Sequence, residues 1–375
     1  MKTKHVLIGC GIALLVLVVG AVALVFWIGR LIAGGAGGKI SMPPQVKQVG
    51  VIKGSGLLSK TIFLSDPGLG NVTDIVDGKF DRGRGHEIGI AGTTGAAFVG
   101  ADASAKASTP FSGMLDHVDI IDVENDGDCE FLNRGSWSSP AKLIDHKGKV
   151  VWTFGDGVDD TSPGDINGDG KLEFAVGFNG GGGVSLVSAQ GKELWNKSDG
   201  NVWHVEMTDV NRDGRLEIVH SNAGGMLTVR NARGDVASQG RPSEYFSQFS
   251  LCRWPARFSP AYCLLAGDGA IWLFGFDGGT VARFSAPDSR TLGSAFGTPV
   301  KLRDGKSYLA ILVSYDQWNR SILFLFDSSK ALVYEEILPE TCEAIAAVGL
   351  GNTQSESILV GGEGKVFQYS VPAAR

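Results

Sequence analysis

The sequence predicts an all-β chain, a seven-bladed β-propeller behind an N-terminal transmembrane helix, and three observations carry that expectation. A nine-residue loop with an oxygen-bearing side chain at alternate positions, Asp165-Ile-Asn167-Gly-Asp169-Gly170-Lys171-Leu-Glu173, recurs along the chain. Its closing glutamates stand at 87, 130, 173 and 217, a spacing of 43, 43 and 44 residues. The turn glycines Gly148, Gly191 and Gly234 repeat independently at 43. Periods of this length belong to repeat architectures, in which each unit buries its apolar face only against its neighbours.

From the amino terminus, residues 1–5 are a short tail, and Val6 to Ile28 form 23 uncharged, mostly apolar positions. At 1.5 Å per residue such a helix spans roughly 30 Å of hydrocarbon. A cleavable signal has an apolar core of only about 7–15 residues, so the reading is an uncleaved anchor. Leu7-Ile-Gly-Cys10 has the look of a lipoprotein cleavage box, but the apolar run follows the cysteine where it should precede it. Residues 29–45, with Ala-Gly-Gly-Ala-Gly-Gly and Met-Pro-Pro, read as a flexible linker to a propeller over 46–375.

Formal net charge is −6, and with no basic excess nucleic acid is not an expected partner. The 54 glycines suit many short strands joined by tight turns. Cys252 and Cys263 flank an expected hairpin. They form a disulfide if the domain is exported, or pack as two buried thiols.

Each repeat reads as four strands. In the second unit Asp119-Ile-Ile-Asp enters the acidic loop, Glu130-Phe-Leu leaves it, Ala141-Lys-Leu-Ile reaches the Gly148 turn, and Val150 to Phe154 ends the unit. The third and fourth units repeat that order, through Glu173-Phe-Ala-Val and Glu217-Ile-Val. Later units keep only the rhythm, in Ile271-Trp-Leu-Phe, Leu309-Ala-Ile-Leu-Val and Lys365-Val-Phe-Gln-Tyr. The seventh stops one strand short, and Leu57 to Phe63, ahead of the first unit, can supply it. Closure of that kind removes the exposed sheet edges of an open array.

The loops point to Ca²⁺. This hard cation takes six to eight oxygens, so alternate side chains aim inward, a backbone carbonyl joins them, and a carboxylate closes the shell. Asp165, Asn167, Asp169 and Glu173 supply side-chain oxygens in this reading, and Lys171 its carbonyl. Asp209-Val-Asn211-Arg-Asp213-Gly214-Arg215-Leu-Glu217 matches at every position. Asp122-Val-Glu124-Asn-Asp126-Gly127-Asp128-Cys-Glu130 matches with Glu124 in place of asparagine. Residues 79–87 are an eroded copy. The closing acid falls at position nine before a strand, where a helical calcium hand would need it at twelve.

Loops of the form Asp-x-Asn-x-Asp-Gly-x-x-Glu before apolar strands resemble the FG-GAP/VCBS repeat family, the blades of integrin α-like propellers. The resemblance covers roughly residues 70–240 and implies structural calcium in a propeller that serves adhesion, glycan binding or assembly. By position it implies ligands Asp122, Glu124, Asp126, the Asp128 carbonyl and Glu130 in the first loop. It implies Asp209, Asn211, Asp213, the Arg215 carbonyl and Glu217 in the third. The Gly-Lys-x-x-Trp segments ending at Trp152 and Trp195 also resemble the blades of pyrroloquinoline-quinone-type propellers, in which the tryptophan packs between sheets.

His117-Val-Asp119 and His204-Val-Glu206 lie five residues before two of the loops. Strand alternation puts each histidine and its acid on one face. They are expected either to form a ligand site at the mouth of the channel or to be buried hydrogen-bonded pairs between blades. With no nucleophile elbow, phosphate loop or zinc spacing, the expectation is a membrane-anchored binding or adhesion module rather than an enzyme. Its propeller is expected on the periplasmic or extracellular side, where calcium is plentiful, recognising protein or glycan. The alternatives are a propeller enzyme acting on polysaccharide, a lyase or hydrolase, and a scaffold subunit of an envelope assembly complex.

Overall fold

The computed structural model describes residues 41–80, 87–137, 139–244, 249–350 and 355–372. The chain divides into Met1–Pro44 and Gln45–Arg375. The expected anchor at 6–28 and most of the linker lie outside the described residues, as does the middle of the eroded loop at 79–87. Among the described residues no helix is long and apolar enough to cross a membrane.

Gln45–Arg375 is a seven-bladed β-propeller. Its strands form seven sheets, each antiparallel. With strands lettered A to D outward from the channel, the A strands are Val72–Gly78, Val118–Ile121, Val158–Gly164, Val202–Thr208, Ser250–Arg253, Ser294–Lys301 and Ala344–Val348. They stand side by side around the axis and are stitched one blade ahead. Thr73 Oγ1 donates to the Val118 carbonyl at 3.0 Å, the Val205 amide donates to Asp160 at 3.1 Å, and Ser250 Oγ donates to the Ala295 carbonyl at 2.6 Å.

The B strands sit between two neighbours and two adjacent blades, so both faces are covered. Glu87–Gly92 and Ser357–Gly362 are buried at every position. That is why they read as continuous apolar runs rather than alternating ones. The core lies between blades: Ala175, Leu186 and Ile166 of blade three pack with Val205, Met207 and Ile218 of blade four.

The ring closes as the sequence implies. Ser59–Ser65 joins blade seven as its D strand against Lys365–Ser370, and Phe63 is buried in the core with Leu69, Val72 and Val366. One further strand, Gly50–Lys53, pairs with Leu332–Leu338 and gives blade six a fifth strand. Its burial pattern is largely exposed, which leaves no sequence signal.

The two periodic markers meet in space. Trp152 Nε1 donates to the Ala189 carbonyl at 3.0 Å, and Trp195 Nε1 to the Ala232 carbonyl at 2.9 Å. Each ring thus lies on the C–D turn of the next blade. Gly191, at φ +77°, is so close that an added Cβ would lie 2.7 Å from the Trp152 ring. The tryptophans are packing residues, as expected.

The disulfide alternative fails on register. Cys252 pairs with Tyr262 and Cys263 with Leu251, so adjacent rungs send the two sulfurs to opposite faces of the sheet. Cys129, Cys252, Cys263 and Cys342 are all buried free thiols.

Candidate functional site at the channel mouth

The site is built by a repeated irregularity in the A strands. In blades one, three and four the A–B ladder skips at one equivalent place, between Val72 and Asp74, Val158 and Asp160, and Val202 and His204. The extra residues are Thr73, Asp159 and Trp203. A bulge bends the strand and re-aims its side chain. All three line a cavity of about 420 Å³ at the channel mouth, to which every blade contributes.

Arg134, just past the B strand Glu130–Asn133, organises one side of it. Its Nε and Nη2 donate to the two oxygens of Asp160 at 2.8 and 3.2 Å, and Nη2 also donates to Glu206 Oε1 at 3.1 Å. Asp119 lies 3.7 Å from Nη1. His204 Nδ1 pairs with Asp160, and its Nε2 lies 3.4 Å from Glu206. His117 Nε2 lies 3.3 Å from Asp119. Burial opposes charge here, but the neighbours outweigh it. Arg134 and His204 hold Asp160 well below the carboxylate range, and Asp160 with Glu206 raises His204 to about 9.

Three carboxyls facing the same cavity have no ion pair among the described residues. Asp74 accepts the Ile120 amide at 2.9 Å, and burial with repulsion from Asp119 pushes it up to about 7. Neither oxygen of Asp159 has a partner in hydrogen-bonding geometry, and burial pushes it up to about 6, offset in part by the Asn179 amide. Glu343 accepts the Asn71 amide at 2.7 Å and is raised by burial and by Asp316. The Trp203 indole N–H is likewise buried without an acceptor.

Blades five and six complete the wall with Leu251, Leu265 and Phe296, all half-buried. The rim beside blade two carries Met114, 80% exposed, and Trp137, 73% exposed. Their loops are tied together: the Asp116 amide donates to Asn133 Oδ1 at 3.0 Å and the Arg134 amide to the His117 carbonyl at 2.8 Å.

The acidic loops lie at the other ends of the A strands. Five residues separate His204 from Asp209, about 16 Å of strand. The three loops share one backbone, with positive φ at Asn125 and Gly127, Gly168 and Gly170, and Arg212 and Gly214. The first aspartate is the hub. Asp165 accepts from the Gly168, Asp169 and Gly170 amides, and Asp209 from those of Arg212, Asp213 and Gly214. Glu130 and Glu217 reach back to the Val123 and Val210 amides at 3.1 and 3.0 Å.

Asn167 donates to Glu173 at 2.7 Å, and Asn211 to Asp213 at 3.3 Å. Glu124 Oε2 accepts from Lys171 Nζ of the next loop at 2.6 Å, which links the two loops. Burial first, then the loop aspartates, raise the carboxyls of Glu130, Glu173 and Glu217. This all-oxygen donor set, in which several carboxylates crowd one loop, fits a hard cation. Among the described residues no group of three or more His, Cys, Asp or Glu side chains is already placed to hold a metal ion.

The structure therefore brings His117, Asp119, His204 and Glu206 into one cavity, and puts the loops on the opposite rim. Sequence reasoning missed Arg134, Asp160, Asp74, Asp159 and Trp203. Two of these carry a signal: Asp74 and Asp160 fall in one series of A-strand acids with Asp119 and Glu206, at spacings of 45, 41 and 46 residues.

No family model matches this chain, and no curated protein matches it in sequence. Two solved structures of BBS1N in complex with ARL6DN, soaked with mercury and with lead, are similar at TM-scores of 0.57 and 0.55. They are 10% and 11% identical, and each match covers 84% of this chain and 98% of that one. The Neurospora crassa Pan2 WD40 domain matches at a TM-score of 0.48 with 10% identity, over 82% of this chain and 90% of that one. At such identities the likeness to the BBS1N structures is one of fold alone.

Proposed function

We propose that this chain is a membrane-anchored propeller displayed outside the cytoplasm, which binds a protein partner on the rim that carries the cavity. The observation behind this reading is the pairing of exposed Met114 and Trp137 with a polar, well-formed cavity on one rim. Exposed large apolar side chains beside specific polar groups are what protein-binding surfaces present, with aromatics as anchors. The similar solved structure is itself a complex, of BBS1N with ARL6DN. The apolar segment 6–28 supplies the anchor, and calcium in the FG-GAP/VCBS-like loops stiffens the opposite rim.

A second reading, a polysaccharide-active enzyme, draws on Asp74 and Asp159, whose raised carboxyls fall in the range suited to a general acid. The paired acids and arginine around His117 and His204 also favour it. The cavity is small for a polymer, near the low end of the roughly 300–1,000 Å³ usual for ligand sites.

A photo-crosslinking residue at position 137 of the full chain separates the two. A discrete protein adduct in the native membrane, absent when the residue stands at Phe258 in the A–B loop of blade five, supports the binding reading. Release of reducing or unsaturated sugar ends from a polysaccharide panel, lost in Asp159→Asn, overturns it in favour of the enzyme.

A further inference from the structure

We infer that the channel-mouth cavity receives a basic side chain, lysine or arginine, of the protein partner; this rests on the reading just given. Charge decides the sign. The cavity carries six carboxylates against one arginine and two histidines. Arg134 and the histidines are already engaged by Asp119, Asp160 and Glu206. That leaves Asp74, Asp159 and Glu343 lining the cavity with no ion pair of their own among the described residues, although His117 acts on Asp74 and Glu343 from a distance. Among the described residues the only side-chain partner of Asp159 is the Asn179 amide, so its carboxylate has acceptor capacity to spare. Buried polar groups are ordinarily satisfied, so an acceptor with spare capacity beside a cavity can take a hydrogen bond from what enters it.

The shape of the wall chooses the kind of cation. The acids without an ion pair come from blades seven, one and three. The facing wall is apolar, with Leu251, Leu265 and Phe296. An acidic arc opposite an apolar one matches a side chain with a hydrocarbon stem and a charged tip. It also matches several acceptors spread around one multidentate donor group. The bulges in blades one and three fall beside Asp74 and at Asp159, so the placing of these two acids is built into the fold.

The test is calorimetric titration of the full chain in detergent with acetyl-Leu-X-Leu-amide peptides, where X is lysine, arginine, glutamine or glutamate. The lysine and arginine peptides should bind at least tenfold more tightly than glutamine, and glutamate not at all. Asp159→Asn should remove that tenfold preference while leaving the glutamine peptide unchanged, with an unaltered melting temperature showing an intact fold. Equal binding of lysine and glutamine peptides overturns the inference, and so does an unchanged preference in Asp159→Asn. Displacement of the lysine peptide by calcium alone, at concentrations where Asp159→Asn has no effect, also overturns it, as that marks the cavity as a metal site. Loss of the basic preference together with a persistent crosslink at 137 leaves the partner-binding reading standing. Loss of both removes the two together.

Discussion

Arg134 of blade two and Asp160 of blade three are joined by two parallel hydrogen bonds, at 2.8 and 3.2 Å, across the gap between adjacent sheets. The fork-on-fork geometry fixes the relative position of the two blades at the channel. Arg134→Met would leave Asp160 and Glu206 to His204 and Asp119 to His117, three buried acids against two histidines. Stability in denaturant should fall by about 3–5 kcal/mol, the usual cost of stranding one side of a buried pair. Adding Asp160→Asn should restore part of the loss. A single variant as stable as the parent would mean the pair is replaceable.

The same cluster gives two pH dependences of the same sign, each losing stability as pH rises but over a different range. The raised carboxyl of Asp74, about 7 in the fold, prefers the protonated form under burial and the charge of Asp119, with His117 opposing. Its contribution to stability is full below the unfolded value near 3.8 and is lost as pH rises through 7. Asp74→Asn should therefore stabilise the protein above pH 7, on the order of 2 kcal/mol after allowance for relaxation, with no gain at pH 4. His204, raised to about 9, contributes below 6.5, and that contribution is lost as pH climbs past 9. Melting curves of parent and Asp74→Asn at pH 4, 8 and 10 measure both.

Calcium should raise the melting temperature of the full chain. Loops of extracellular affinity, filled at millimolar calcium, contribute about 1 kcal/mol each, or about 2 °C in a domain of this size. Asp169→Ala and Asp213→Ala should each remove one loop's share. Identical melting with calcium and with chelator, in parent and variants alike, would leave the loops as turns held by Asp165 and Asp209 alone.

Closure by the N-terminal strand should govern the whole ring. Phe63→Ala opens a cavity in the core shared with Leu69, Val72 and Val366, and is expected to cost about 3–5 kcal/mol. The exposed neighbour Ile62, changed to threonine, should cost little. Equal effects would mean the strand is not held by its inward face.

The four described cysteines should resist alkylation in the native state. Burial raises Cys129 and Cys252 to about 12, and Cys263 and Cys342 rise with them. Unfolding without reductant should expose Cys252 and Cys263 as reactive thiols. A mass two hydrogens short would reveal a bridge that the register forbids.

How far the sequence alone reached follows from where each strand sits. B and C strands are covered on both faces, so Glu173–Phe178 and Arg320–Asp327 had to be apolar and could be read directly. The acidic loops and turn glycines are local devices, fixed by backbone conformations that few residues adopt, and they gave the period and hence the blade count. They also implied closure, since a ring one strand short must borrow it. The A strands were weak signals because they line a channel: Ser294–Lys301 and Ala344–Val348 are largely half-buried and carry no clean alternation. Tertiary structure decided the site. Arg134 meets Asp160 and Glu206, respectively 26 and 72 residues away, only because the ring brings three blades to one axis. The bulges that turn Asp159 and Trp203 inward are irregularities of pairing, a property of two strands together that neither strand's sequence contains.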